Sequence, residues 1–461
     1  MSLPLSDQIV SRADVLQRRL GAGLRDRLVE AIYRDAARLA GDHVVSAARR
    51  KARFDERIDR IVTSRLWGLP IMFGGLALVF WITVAGANYP SQALAAGLFW
   101  LGEQGARLFE SLGLPWWVTG FVWHGTYKGL AWVISVMLPP MAIFFPLFTF
   151  LEDLGYLPRI AFNLDRFFSA AGAHGKQALS MSMGFGCNAA GVIATRIIDS
   201  PRERLIAILT NNFVPCNGRF PTLIMLATLF VGASVPAAVA SLAAAGTVVG
   251  IVVLGIITTL LVSAFLSRTV LTGEPSSFTL ELPPYRRPNI GQILYTSIID
   301  RTLFVLWRAI YMAAPAGAVI WTLSAVTIGG ESLTAILSGF LDPFGRSLGL
   351  DGVILLAYII AIPANEIVVP TILMAYTGAG QMLEITSLAE LYALLVDGQG
   401  WTLMTAVCLM LFSLLHNPCS TTILTIWKET GNRKWTLVGA LMPLAIAFAV
   451  CFMVATLWRL F

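Results

Sequence analysis

The chain has 461 residues, of which 56% are hydrophobic and only 13% charged, and its mean hydropathy is +0.72. A soluble domain carries roughly 25% charged and about 45–50% apolar residues, so the composition excludes an ordinary soluble protein and indicates a membrane protein. The net charge of +6 does not indicate nucleic-acid binding, because the basic residues lie in the amino-terminal segment and in short loops, as the positive-inside rule predicts.

Residues 1–66 are the first predicted element, a polar helical arm. The arm is richer in Arg and Lys than in Asp and Glu, which predicts a cytoplasmic amino terminus. It has no short apolar core with a small-residue cleavage site, so it is not typical of a signal peptide. We expect the arm to lie along the membrane or to dock on a partner.

The apolar segments after the arm predict about eight transmembrane helices, at about 20 residues per span. A polar connecting segment, 268–302, divides them into a first membrane half, 67–267, and a second, 303–461. Residues 91–121 mix charged and apolar side chains, which predicts an interfacial amphipathic helix rather than a span. The predicted fold class is an all-α, polytopic membrane protein.

Both halves contain apolar helices that Gly, Pro and Asn interrupt. A break in lipid exposes backbone groups at a cost of several kcal/mol each unless protein or water satisfies them, so breaks normally line a cavity. Matched breaks in two halves of a chain indicate the binding site of a transporter. At any single break, a packing kink is the alternative.

Each half shows a carboxylate at one break and a cysteine at the next. Glu152 and Asp153 precede Cys187 in the first half, and Glu366 precedes Cys419 in the second. This order predicts two matched repeats that pair Glu152 with Cys187 and Glu366 with Cys419. Glu366 is the strongest candidate, because an ionisable side chain inside an apolar membrane segment usually faces a site or an ion-pair partner. Glu152 and Asp153 are expected to attract the ion at an entrance or to be simply interfacial.

Three more residues complete the predicted metal path. Cys216 lies in a Pro- and Gly-rich break, Asn188 follows Cys187, and His416 stands three positions before Cys419. Thiol and imidazole ligands favour metals such as iron, copper or zinc, whereas carboxylate and amide oxygens favour harder cations. The mixture predicts transient Fe(II) binding of modest affinity, since a transported ion must also leave. For His416, a satisfied core histidine is the alternative.

No permanent metal or cofactor is expected. The CxxC and HxxxH spacings of a closed zinc centre do not occur, so Fe(II) is expected only as the transported ion. The two remaining cysteines, Cys408 and Cys451, lie in uninterrupted apolar runs and are expected to be small buried hydrophobes. An odd number of scattered cysteines does not indicate a disulfide framework.

Several strings resemble the membrane portion of the ferrous-iron transporter B (FeoB) family, in family order from about residue 45 to the carboxyl end. They are FLEDLGYLPRIAFNLDR, GAHGK, GFGCN followed by ATR, PCNGRFP, ELPPYRRP, ANEIVVPT and NPCSTTILTIWKETGNRKW. The resemblance places the Gate cysteines of the family at Cys187, Cys216 and Cys419, and its second-Gate glutamate at Glu366. It implies ferrous-iron uptake across a bacterial cytoplasmic (inner) membrane by a homo-oligomer.

The chain departs from the family pattern in two places. It has no GxxxxGK[ST] string, and GCNAAG stands where the family has GCNVPA. Residues 1–60 resemble only the helical segment that joins the GTP-binding domain of the family to the membrane. The chain is therefore not expected to be an enzyme. Either a separate GTPase or small accessory protein docks on residues 1–66, or transport proceeds without nucleotide.

Two other functions stay open at this point. Gate segments resemble those of nucleoside carriers, so the solute could be a small organic molecule such as a nucleoside. A non-transporting membrane scaffold or regulatory subunit would use the arm and the loops, and it would tolerate substitution at every break. No set of nucleophile, base and oxyanion-stabilising groups indicates an enzyme.

Overall fold

The computed structural model describes residues 24–43, 49–64, 66–273, 285–377 and 388–460. These residues are almost entirely helical, and their only strands pair as a two-stranded antiparallel hairpin, β1 (Thr327–Ile328) with β2 (Glu331–Ser332). The helical content agrees with the all-α prediction. The first 23 residues of the predicted arm lie outside the described ranges.

The arm contains two described helices, α1 (Leu24–His43) and α2 (Arg49–Val62). They are followed by one continuous helix, α3 (Gly68–Ser111), with Pro90 in its interior. The prediction of a separate interfacial helix at 91–121 is therefore wrong. A proline inside a membrane helix need not end it, because neighbouring groups can satisfy the carbonyl that the proline leaves free.

Helix α4 (Trp116–Asp153) begins with a helical turn and a π-helical segment, Gly120–Tyr127. It crosses helix α11, which runs over 290–325. The two backbones touch at this crossing, since a Cβ on Gly317 would lie 2.4 Å from the carbonyl oxygen of Gly125. Small residues permit such close packing of membrane helices. Because α11 begins within the segment predicted to connect the two halves, that segment is partly helical.

The remaining described helices follow in chain order. They are α5 (Tyr156–Ala170), α6 (Gln177–Gly186), α7 (Asn188–Ala194), α8 (Pro201–Thr210), α9 (Phe220–Ser234), α10 (Ala237–Thr269), α12 (Leu333–Ser347), α13 (Gly352–Ile360), α14 (Val368–Thr377), α15 (388–398), α16 (Leu403–Leu415), α17 (Ser420–Thr430) and α18 (Arg433–Leu460). Short 3₁₀ turns occupy Thr195–Ile197, Asn211–Phe213 and Asn365–Ile367.

Within the described ranges, four helical stretches are long and apolar enough to cross a membrane. A fifth is added if α12 and α13, which meet at 110°, count as one bent span. The four are Trp116–Asp153, Leu242–Thr269, Leu403–Thr430 and Arg433–Leu460. These helices agree with a polytopic membrane protein, and the number of eight spans stays a prediction.

Helices α6 and α7 fold back on each other, and we call them hairpin 1. A Cβ on Gly191 in α7 would lie 2.8 Å from the carbonyl oxygen of Ser180 in α6. In a straight helix these residues would be roughly 16 Å apart, so the chain reverses between them. Lys176 and Asp199 form an ion pair of 2.9 Å at the open end of the hairpin. Its tip is Cys187, whose backbone is extended.

Helices α13 and α14 form a second fold-back, hairpin 2. Their outer ends meet where the Tyr376 hydroxyl donates to the carboxylate of Asp351. The indole of Trp401 donates to the same hydroxyl at 2.8 Å. The tip of hairpin 2 is the turn and 3₁₀ segment between the two helices, and it contains Glu366.

A helix in two pieces comes after each hairpin, directly after hairpin 1 and beyond α15 in the case of hairpin 2. The first broken helix is α8 with α9, and the second is α16 with α17. Arg196 and Arg204, beside the open end of hairpin 1, both pair with Glu429 near the end of α17 at 2.6 and 2.7 Å. Hairpin 2 opens instead beside Trp401, which precedes α16. The two hairpins therefore open at opposite ends of the second broken helix.

The arm is fixed to the membrane part by a contact that we call the arm joint. Arg159 on α5 is 1% exposed, and it donates from Nε and Nη2 to the carboxylate of Asp59 on α2 at 2.9 and 3.0 Å. Tyr285 donates its hydroxyl to Asp59 at 2.9 Å, and its ring lies 4.1 Å from the guanidinium. Burial alone would raise the pKa of Asp59, but the hydrogen bonds from Arg159 and Tyr285 hold it below its ordinary value.

The substitution Asp59→Asn should loosen the arm, because it removes the negative charge that the buried guanidinium of Arg159 contacts. We expect a loss of about 1–3 kcal/mol at this contact, measured as faster trypsin cleavage of the arm. Glu56→Gln changes an exposed carboxylate on the same helix and should leave cleavage unchanged.

The arm joint should also depend on pH. Because the pKa of Asp59 is lower in the folded than in the unfolded chain, its contribution is complete above the unfolded value of about 4 and is lost as pH falls through the lower folded pKa. Equal cleavage of the two variants, or loosening of the wild-type arm already near neutral pH, would contradict this account.

Candidate functional site

The tip of each hairpin rests on the break in the helix that follows it. At hairpin 1, the backbone N–H of Asn217 donates to the carbonyl oxygen of Gly186 at 3.4 Å. At hairpin 2, the backbone N–H of Ser420 donates to the carbonyl oxygen of Ile362 at 2.8 Å. Polar backbone groups freed by the interruptions thus find partners at the tips, as a break inside a membrane requires.

Buried amides connect the first broken helix to its neighbours. Asn211 donates through Nδ2 to the carbonyl oxygen of Asn188 at 3.0 Å, just beyond the tip of hairpin 1. Asn212 donates through Nδ2 to the carbonyl oxygen of His416 at 2.7 Å, in the second broken helix. All four residues are buried. The two halves therefore meet at their breaks through side chains of one polar run, residues 211–219.

Three thiols and one carboxylate lie together at these breaks. The hydrogen bond from Asn217 to Gly186 sets Cys216 beside the tip that holds Cys187, and the hydrogen bond from Ser420 to Ile362 sets Cys419 beside the tip that holds Glu366. A Cβ on Gly218 would lie 2.1 Å from Oε1 of Glu366, so this carboxylate lies directly against the backbone next to Cys216. The structure thus brings four of the predicted residues to one region.

These groups do not form a closed metal centre. Among the described residues, no three His, Cys, Asp or Glu side chains are close enough together to hold a metal ion. An ion at this place would depend on fewer side chains at a time, together with backbone and amide oxygens. Such a partial ligand set suits transient binding more than retention.

Asn188 and His416 lie in the connecting network. The amide of Asn188 is 3.3 Å from the side-chain oxygen of Asn212. Nδ1 of His416 lies 2.9 Å from the carbonyl oxygen of Ser413, and Nε2 lies 3.4 Å from Oδ1 of Asn365. Nδ1 contacts only carbonyl oxygens, so it carries the proton and donates to them, and Nε2 faces the side-chain amide of Asn365. The geometry favours the satisfied core histidine over a free metal ligand.

Glu152 and Asp153 lie elsewhere. Glu152 pairs with Arg301 at 3.0 Å, and Asp153 accepts from the backbone N–H of Asn289 at 2.9 Å. Both line a cavity of about 390 Å³ whose lining includes none of the three break cysteines and not Glu366. Phe144, which contacts Gly186 near the tip of hairpin 1, precedes Glu152 by two helical turns, about 12 Å.

The order of the motifs matched Glu152 with Glu366 and Cys187 with Cys419, and the structure matches these residues differently. In the structure Cys187 and Glu366 occupy the tips of the two hairpins, whereas Cys216 and Cys419 occupy the breaks of the two broken helices. The sequence pattern was misleading because a carboxylate that ends a span and a carboxylate at a hairpin tip look alike when only their order is considered.

Sequence reasoning missed the residues that hold the breaks together. Arg219 is 1% exposed and donates to backbone carbonyls of both broken helices, and Asn211, Asn212 and Asn365 join the same network. A signal was present, since an arginine in an apolar membrane segment is costly and tends to face the protein interior. The prediction that Cys408 and Cys451 are buried is confirmed, because the side chains of both are fully buried.

The cysteines should differ in reactivity. All five are free thiols, and those at the breaks are half-buried whereas Cys408 and Cys451 are buried. In purified folded protein, a small alkylating reagent should modify Cys187, Cys216 and Cys419 faster, and replacing any one of them by Ser should remove one modified site in intact-mass spectra. Cys408→Ser and Cys451→Ser are the matched controls. Loss of a rapidly modified site in either control would contradict the arrangement.

The comparisons with known proteins agree with this architecture. The Gate family model, described as "Nucleoside recognition", matches residues 134–230 and 306–433. A second model, described as "Ferrous iron transport protein B C terminus", matches residues 248–300. No solved structure matches the chain.

Several curated relatives cover most of the chain. The Fe(2+) transporter FeoB of Staphylococcus aureus (strain MSSA476) is 29% identical over 468 residues, covering 99% of this chain and 66% of the relative. The Fe(2+) transporter FeoB of Campylobacter jejuni is 27% identical, covering 89% and 66%. The Fe(2+) transport protein A/Fe(2+) transporter FeoB fusion protein of Porphyromonas gingivalis is 27% identical, covering 88% and 52%.

The helices and the polar breaks define an all-α, polytopic membrane protein of the broken-helix type. Both family models and the relatives give a narrower likeness, because the chain is similar to proteins of the FeoB family over most of its length. It spans 66% of the length of the Staphylococcus and Campylobacter relatives, so it corresponds to part of those proteins.

Proposed function

We propose that this chain carries ferrous iron across the bacterial cytoplasmic membrane, with Cys187, Cys216, Cys419 and Glu366 as its transient ligands. The observation that carries the proposal is the convergence of these three thiols and one carboxylate at the breaks. Soft thiols beside a hard carboxylate suit a borderline ion such as Fe(II). The names of the relatives, all Fe(2+) transporters, support the choice of iron.

We further propose that the two halves are inverted repeats within a membrane part of about eight spans. Each half has a hairpin followed by a broken helix, and the two hairpins open at opposite ends of α16 and α17. Inverted repeats with interrupted helices at their interface are a common architecture of transporters, which then expose one central site to either side in turn. The central site here is the meeting point of the hairpin tips.

The arm is assigned to the cytoplasm on the basis of its positive charge. Asn289 contacts Asp153, and Tyr285, four residues earlier, contacts Asp59 of the arm. Glu152 and Asp153 therefore lie on the same face of the protein as the arm. On this assignment they stand at the cytoplasmic mouth of the path, where imported iron would leave, and not at an outer entrance.

Residues 1–66 are the proposed docking site for a separate GTPase or a small cytoplasmic accessory protein. The Porphyromonas gingivalis relative is named as a fusion with Fe(2+) transport protein A, which supports an accessory partner of this kind. Because the arm joint links α2 to α5, a partner bound to the arm would be coupled through α5 to hairpin 1, which follows it in the chain. We also propose a homo-oligomer, as the family resemblance implies.

Iron uptake should depend on the carboxylate of Glu366. Glu366→Gln should lower Fe(II) uptake into proteoliposomes at least roughly tenfold. A tenfold change corresponds to a loss of about 1.4 kcal/mol in the free energy with which the protein binds Fe(II). Gly218→Ala should lower uptake in the same direction, because its Cβ would displace the Glu366 carboxylate. Gly246→Ala is the matched control, since a Cβ there meets nothing within 4 Å. Unchanged uptake in Glu366→Gln at equal protein would reject the assignment.

A nucleoside is the second candidate solute, because the Gate model carries the description "Nucleoside recognition". Uptake of labelled Fe(II) into proteoliposomes, with Mn(II), Zn(II) and uridine as competitors, separates the two. Iron transport predicts inhibition by the metals and none by uridine. Inhibition by uridine alone would favour an organic solute, and the absence of any flux would favour a scaffold or regulatory subunit.

A further inference from the structure

The guanidinium of Arg219 lies in a cluster of oxygen atoms between the two broken helices. Nη1 donates to the carbonyl oxygens of Asn212 at 2.8 Å and Leu414 at 2.9 Å. Nη2 donates to Oδ1 of Asn212 at 3.1 Å and to the carbonyl oxygens of His416 at 3.3 Å and Asn417 at 3.4 Å. Five oxygens, four of them from the backbone, thus surround one cation.

The guanidinium of Arg219 is held by these dipoles and makes no direct ion pair. No carboxylate among the described residues lies within 4.0 Å of it, and its Nε has no hydrogen-bond partner there. A buried charge is very costly unless polar groups solvate it. The oxygen cluster therefore supplies the direct hydrogen bonds to this charge, whereas Glu366 lies farther away but within electrostatic range of it.

The oxygens come from the places where helices end. Leu414 is in the last turn of α16, His416 is its C-cap, and Asn212 is in the 3₁₀ turn that closes α8. The last carbonyls of a helix lack intrahelical partners and carry the negative end of the helix dipole. In broken-helix carriers, such half-helix ends and unwound carbonyls coordinate Na⁺ or other cations. Arg219 therefore occupies the kind of place where a carrier of this architecture holds an inorganic ion.

We propose that Arg219 is a tethered cation that permanently fills an alkali-cation site at the crossing of the two broken helices. With its guanidinium in place, Na⁺ and K⁺ are excluded from the carbonyl cluster, and the neighbouring thiols and Glu366 remain as side-chain ligands for a mobile ion. Arg219 is then a specificity-determining residue. The part about the mobile ion rests on the proposed iron transport, whereas the filled cation site stands on the contacts of Arg219 alone.

The planar fork of arginine explains why this residue suits the place. Each terminal nitrogen contacts oxygens from both broken helices, so one side chain joins the two helix ends in a fixed geometry. A lysine would bring the same charge on a single nitrogen with three donors. It would retain the electrostatic role with a poorer fit.

The test is thermal unfolding of the purified full chain in detergent, in chloride salts of Na⁺, K⁺ or choline at equal ionic strength. The wild-type Tm should be the same in all three salts. Arg219→Ala should have a lower Tm in choline and regain about 2–4 °C in saturating Na⁺ or K⁺, since an ion that binds only the folded state stabilises it. Arg219→Lys should be indifferent to the salt.

Arg159→Ala is the matched control. It removes an arginine that is equally buried, at 1% exposure, but that lies in the arm joint. It should lower the Tm equally in every salt. If Na⁺ and K⁺ raise the Tm of Arg219→Ala no more than that of Arg159→Ala, the proposal is overturned. Arg219 would then only stabilise the fold.

A second variant covers the case in which Arg219→Ala does not fold. Arg219→Gln keeps amide donors and loses the charge, so it should be recovered folded in Na⁺ or K⁺ and recovered poorly in choline. Failure to fold in all three salts would also overturn the proposal. Because unfolding requires no transport, this result is independent of whether iron uptake is confirmed.

Discussion

Helix breaks inside a membrane leave backbone N–H and carbonyl groups without water, and the architecture of this chain is organised around satisfying them. The interruptions do not lie at separate places along the bundle. Each hairpin tip hydrogen-bonds to the break that follows it, and Asn212 then joins the first broken helix to the carbonyl of His416 in the second. Unsatisfied groups of this kind cost several kcal/mol each, so their convergence allows one polar network to serve all the breaks.

The side chains that hold this network together differ from the side chains that could bind a metal ion. The Nδ2 groups of Asn211 and Asn212, Nδ1 of His416 and the two terminal nitrogens of Arg219 contact backbone carbonyls. The break thiols are weak hydrogen-bonding groups, and the backbone next to Cys216 leaves room for the carboxylate of Glu366 only because Gly218 has no side chain. The groups with affinity for a borderline metal therefore make few hydrogen bonds within the fold, one being the contact of the Cys419 sulfur with Oγ1 of Thr422 at 3.3 Å.

Much of the fold followed from local sequence. Apolar length predicted the membrane helices, and Gly, Pro and Asn predicted the interruptions at Cys187, Cys216, Glu366 and Cys419, because these signals act within a few residues. The continuity of α3 through Pro90 did not follow, since neighbouring contacts decide whether a proline ends a helix.

Long-range pairing was the main source of error. Glu152 meets Arg301, a partner 149 residues away, so its distance from the thiols was not visible in the order of the motifs. Arg219 was missed for a similar reason. Its role depends on carbonyls of Leu414 and His416, and the local string PCNGRFP does not show which helix end will lie opposite the arginine.

The central claim is that the hairpin tips and helix breaks form the ion path. An anaerobic crystal structure of the chain loaded with Fe(II), with an anomalous difference map at the iron absorption edge, tests it most directly. The account predicts an iron peak among the sulfur atoms of Cys187, Cys216 and Cys419 and the carboxylate of Glu366. A peak confined to the cavity of Glu152 and Asp153, with none at the tips, would contradict it.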